Sequence, residues 1–169
     1  MGFQYTSGID YSLREESENI QKAFYSYIME IKGELEDYYV KLEKEEEAFK
    51  YAKSLGDLSE NADINIAMDN IYELKKIIDE TKNEIQLYEQ FQLSYTPTGI
   101  VEIGSTVRLQ YDGKKIVVKI AADDISNQWI NLIAANCPVG KAIIGKKAGD
   151  EAEATTPTRT NRLLIEGVY

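Results

Sequence analysis

The stretch "LGDLSENADINIA", Leu55 to Ala67, interrupts two long periodic segments and decides how the chain around it must fold. It holds Gly56, two acids three residues apart (Asp57 and Glu60), then Asn61 and a third acid, Asp63. Upstream, apolar residues fall at Phe24, Ile28, Ile31, Leu35, Tyr38, Leu42, Phe49 and Ala52, a heptad stripe with Glu45 in one seat. Downstream the stripe resumes at Ile64, Ala67, Ile71, Leu74, Ile78, Thr81, Ile85 and Tyr88. Neither helix can bury such a stripe alone, and the short connection makes the other helix its antiparallel partner. With the turn near Gly56 and Asp57, facing residue numbers sum to about 113, setting Phe49 on Ile64, Leu42 on Ile71, Leu35 on Ile78 and Ile28 on Ile85. Arms of about forty residues predict a finger on the order of 60 Å long, with the acids at its end.

Spacing alone leaves two readings of those acids open. In the first they cap: Leu55-Gly56 closes one helix, Asp57 opens the next, and Glu60 completes a capping box in a first turn whose dipole favours negative charge. In the second they are delivered to something outside the protein. A hard cation such as Mg²⁺ is held by one or two carboxylates plus waters and partner groups, so two acids could complete a site that another macromolecule half-builds. One carboxylate can cap while the other points outward.

Composition narrows the classes. The net charge of −10 is uneven: residues 1–97 carry 21 acids and 10 bases, residues 98–169 carry 8 acids and 9 bases. An acidic first half is a poor wrapper for duplex DNA, whose affinity comes largely from lysine and arginine on phosphates. The absence of histidine removes the commonest general base and the usual zinc ligand. A lone cysteine, Cys137, forms no disulfide within the chain and has no histidine to activate it; a structural thiol in a reducing cytoplasm is expected. The N-terminal residues lack the charged and apolar regions of a signal peptide, and no apolar run suffices for a membrane span.

The second half has a different rhythm. "TVRLQYDGKKIVVKIAADD" predicts two strands around an Asp112-Gly113 turn. "QWINLIAAN" predicts a third strand, "PVGKAIIG" a short helix opening with proline, and "RLLIEGVY" a closing strand. "TGIVEIG" (98–104) joins the halves. Trp129 and Tyr111 are expected in the core rather than in a pocket. The fold class is therefore α+β: residues 1–97 as an antiparallel coiled-coil hairpin with its acidic tip at 56–63, and residues 98–169 as a small mixed sheet with one short helix.

Two motifs in this order carry a resemblance. "GDLSENADI" resembles the tip motif of the bacterial GreA/GreB transcript cleavage factors, and "CPVGKAIIGKKAGDEAEA" (137–154) is similar to a segment of their C-terminal domain, ending in an acidic strand. The resemblance covers roughly residues 12–169. It implies an FKBP-like C-terminal domain that grips bacterial RNA polymerase while the coiled coil enters the secondary channel. Asp57 and Glu60 would then be metal-assisting acids, helping the polymerase hold its second Mg²⁺ and position water to cleave backtracked RNA by two-metal hydrolysis. Lys53, Lys50 and Asn61 would lie near the nascent RNA 3′ end. The resemblance further implies a cytoplasmic monomer with no cofactor of its own beyond the shared Mg²⁺, no membrane partner and no autonomous active site.

The chain departs from the family at Ser59, where lysine is common, at Ile64, where tyrosine is common, and at Met68, where arginine is common. Other readings follow: a non-cleaving, channel-occupying regulator of the anti-Gre type, a coiled-coil adaptor whose acids only cap, or a small prolyl isomerase with a helical arm.

Overall fold

The computed structural model describes residues 8–55, 62–91 and 95–169. These form two compact units: Ser26–Gln90 makes one, and the segments up to Tyr25 and from Phe91 onward make the other. Beside a linear division at residues 97 and 98, the first turns of the long helix thus group with the sheet. The protein is α+β, as its two rhythms predict.

The first unit is the helical hairpin. Helix α1 runs Arg14–Ser54 and helix α2 runs Ala62–Gln90. Every seat of both predicted stripes is buried or half-buried, Glu45 included, while the residues opposite face water. Full burial falls at Phe24, Ile28, Ile31 and Ala52 of α1 and at Ile64, Ala67, Ile78, Ile85 and Tyr88 of α2. Two helices alone cover only one side of each stripe, so seats such as Leu35, Leu42, Ile71 and Leu74 stay half-wet.

Pairs flanking the seam fix the register. Lys32 pairs with Glu89, and Lys75 with Glu46 at 3.2 Å, both along one edge with residue numbers adding to 121. On the other edge the Tyr27 hydroxyl donates to Glu84 at 3.1 Å, numbers adding to 111. The seam between these edges centres on about 116, not the expected 113, because heptad seats of an antiparallel pair interleave rather than meet like with like. Ile64 is therefore level with Ala52 instead of Phe49. The acid in the seam, Glu45, accepts a hydrogen bond from Asn70 Nδ2 at 3.2 Å, so its polar seat is satisfied rather than weak. Near the other end, the rings of Tyr27 and Tyr88 meet at a tilt with centroids 5.9 Å apart, and burial followed by the Glu84 charge pushes both phenols above their ordinary range.

The second unit is a five-stranded sheet in the order β3-β2-β1-β5-β4. Its strands are β1 (Thr106–Tyr111), β2 (Lys114–Ala121), β3 (Leu132–Ala134), β4 (Glu151–Thr155) and β5 (Thr160–Val168). The β2–β3 pair is parallel and the others antiparallel, so the sheet is mixed. Asp112 and Gly113 both take positive φ, the signature of the tight hairpin turn that the Asp-Gly pair predicts. Helix α3, Pro138–Ile143, opens with its proline as expected, and Cys137 caps it by accepting from Gly140 N at 3.2 Å. The thiol is half-buried and structural in that role.

Strand alternation gives the sheet two faces. Val107, Leu109, Val118, Ile120, Ala152, Ala154, Leu163 and Ile165 form the main core with Val101 and Ile143, and Tyr111 packs against it. The opposite face carries Thr106, Arg108 and Lys119, and meets the residues leading into α1. Asp10 takes an ion pair from Arg108 at 2.9 Å and donates its backbone N–H to Val168.

One expectation fails. Trp129 is 88% exposed, because "QWI" is a 3₁₀ turn rather than the start of a strand. Asn127 accepts from Trp129 N, Asn131 closes the turn in the left-handed region, and the strand begins only at Leu132. The turn holds the indole on the surface.

Gly140 is held against backbone: a Cβ there would meet Ala134 O at 2.4 Å and Ala135 O at 2.6 Å, both rigid. Gly140→Ala is expected to destabilise this unit by about 2 kcal/mol, read as a lower denaturant midpoint with unchanged slope.

Candidate functional site

The candidate site begins where α1 ends. The last turn carries Lys53, and the closing groups are satisfied locally: Ser54 Oγ donates to Tyr51 O at 2.6 Å, and Leu55 N to Ala52 O at 3.2 Å. Helix α2 opens at Ala62 with Asp63 in its first turn, where negative charge suits the dipole. Asp57, Glu60 and Asn61 fall in sequence between these ends and lie outside the described residues, as does the capping box that Asp57 and Glu60 could form. Among the described residues, no group of three or more Asp, Glu or Cys side chains could hold a metal.

What the structure does place is the basic side of the site. Lys50 and Lys53 are exposed. The edge that pairs Lys32 with Glu89 and Glu46 with Lys75 continues toward the end of α1. Extended by one heptad, the same spacing of residue numbers sets Met68, not a carboxylate, across from Lys53. Neither lysine forms an ion pair among the described residues. An ammonium in that position remains available to an anion such as a phosphate.

The remaining departures have clear structural places. Ile64 is buried in the seam, where an apolar side chain belongs. Met68 is exposed, as are Tyr51, Leu55 and Ile66 around it in sequence. The acidic run Glu43–Glu47 divides: Glu45 and Glu46 bond across to α2, while Glu43 and Glu47 face water.

Two polar groups escaped the sequence reading. Lys119 lies buried in the sheet, and Tyr95 organises the segment before it, accepting from Ser105 Oγ at 3.0 Å and donating to Glu102 at 3.1 Å. A lysine inside the apolar run "VVKIAA" was the available signal for the first. Nothing in the local pattern marked the second.

Comparison with known proteins follows the same division. A sequence-family model described as "Transcription elongation factor, GreA/GreB, C-term" matches residues 96–169. Transcription elongation factor GreA of Mycoplasma capricolum is 34% identical over 143 residues, covering 82% of this chain and 91% of that protein. Its counterpart in Clostridium acetobutylicum is 32% identical over 150 residues, covering 83% and 91%. Among solved structures, Thermus aquaticus Gfh1 aligns with 88% of this chain and 95% of its own at 20% identity, with a TM-score of 0.38.

Met68→Glu would offer Lys53 a third ion pair along this edge. The hairpin is expected to gain about 0.5 kcal/mol at low salt. The gain should vanish in the Lys53→Gln background, as a double-mutant cycle of thermal melts would measure.

Proposed function

Because the chain belongs to the GreA/GreB family of transcription elongation factors, we propose that it acts on RNA polymerase from within the secondary channel and stimulates Mg²⁺-dependent cleavage of backtracked nascent RNA. The observation that carries this reading is the family tip motif, with Asp57 and Glu60 both retained, standing in sequence between two helices that pair antiparallel. A rigid pair of helices is a suitable carrier for acids that must act inside another protein.

The chemistry suits the residues. Mg²⁺ prefers oxygen ligands and keeps several waters, so hard carboxylates complete its shell without forming a closed cage. In two-metal phosphodiester hydrolysis one ion activates water and the other supports the leaving oxygen. Asp57 and Glu60 assist the ion that the polymerase holds, and the protein contributes no other catalytic group. Lys53 and Lys50 offset the local negative charge and favour the RNA 3′ end, with Asn61 a neutral hydrogen-bonding neighbour. The protein is thus an accessory of the polymerase rather than an enzyme, working as a cytoplasmic monomer with the C-terminal domain as its grip.

The test uses stalled, backtracked elongation complexes with cognate polymerase, comparing wild type with Asp57→Ala and Glu60→Ala. Wild type should release short 3′ RNA fragments in a Mg²⁺-dependent manner. Each substitution should lower the cleavage rate at least tenfold, about 1.4 kcal/mol in barrier, with polymerase affinity unchanged. Polymerase binding without cleavage, or slowed elongation, would replace this reading with a non-cleaving regulator.

A further inference from the structure

On the sheet face turned away from the main core, Lys119 of β2 lies beside Thr106 of β1 and Leu132 of β3. It is 2% exposed. Its Nζ donates to Gly104 O at 2.8 Å, Ser17 Oγ at 3.0 Å and Thr106 Oγ1 at 3.5 Å. These partners come from the segment before β1, from the first turns of α1 and from β1 itself, so one nitrogen ties three elements to β2.

No carboxylate among the described residues lies within ion-pair distance of that nitrogen. The charged groups on surrounding elements are engaged elsewhere: Arg108 with Asp10, Arg14 with Glu18, Lys115 with Glu166, and Glu102 with Tyr95 and Thr98. On α1, Glu15 and Glu18 are exposed and Glu16, next to Ser17, is half-buried. β3 carries no titratable residue.

The three partners do not require a charge. Gly104 O can only accept, but the Ser17 and Thr106 hydroxyls can accept or donate. An ammonium gives one N–H to each oxygen. A neutral amine gives two N–H groups and receives one hydroxyl proton on its lone pair, so no partner is lost. The charged form alone suffers from burial without an anion.

We propose that Lys119 is a proton-controlled pin between the sheet and the first turns of α1, holding them more tightly when neutral than when charged. Burial lowers its pKa from 10.5 to about 8. The unfolded chain keeps this proton up to about 10.5, whereas the folded protein releases it near 8. The cost of burying the charge is therefore fully present below pH 8 and is relieved as pH rises from 8 toward 10.5. The folding equilibrium of this unit should gain up to about 300-fold across that window.

The experiment is thermal melting of the full chain from pH 7 to 10, wild type against Lys119→Met. Wild type should gain several degrees relative to the variant as pH rises, whatever the variant's absolute stability. Parallel curves would overturn the proposal. If Lys119→Met does not fold, an NMR titration of the wild-type lysine side chains decides instead. One lysine with a midpoint near 8, shared by the Ser17 amide, supports the pin, and all lysines titrating above pH 10 would refute it.

Discussion

A helix with a single apolar stripe cannot hide it, and that constraint governs residues 26–90. Only one partner is available, so each stripe finds cover on one side and seats such as Leu42 and Leu74 stay half-exposed. Apolar contact of this kind holds two helices together but discriminates weakly between neighbouring registers. The choice falls to the edges, where Lys32–Glu89, Glu46–Lys75 and Tyr27–Glu84 align at one setting, and to Asn70, which satisfies the acid in the seam. Exposed ion pairs are individually weak. Here their value is in register more than in stability.

The sheet meets the opposite demand, since both of its faces need cover. One face closes over the main core with α3, where Gly140 permits a backbone approach that no side chain would allow. The other face is polar at its centre. Arg108 and Lys119 project from it, and the residues leading into α1 supply Asp10 and Ser17 as their partners. One of these cations is paired with a carboxylate and one is not. The same face therefore carries a salt-bridged anchor and a desolvated one.

These two solutions explain how a long helical hairpin can serve a short acidic motif. Two ion pairs form along one edge of the helices, and Lys50 and Lys53, like other lysines of the hairpin, have no ion-pair partner among the described residues at the end nearest Asp57 and Glu60 in sequence. No helix among the described residues is long and apolar enough to cross a membrane. Family membership then gives the motif its context, that of a transcription elongation factor.

Much of this was legible in the sequence, because periodicity is a local property. The heptad steps marked every seat of the seam, Asp112-Gly113 marked the hairpin turn, Pro138 marked the start of α3, and "GDLSENADI" marked the candidate site. What the sequence could not determine depends on which groups meet across space. The seam shifted by three residues because cross-helix pairs, absent from either stripe, set the register. Trp129 faces water because Asn127 and Asn131 build a turn where β-propensity favoured a strand. Lys119 is enclosed only once Ser17, Gly104 and Thr106 gather around it. Only tertiary structure decides such things, since burial and hydrogen-bond partnership belong to pairs of segments and not to either one alone.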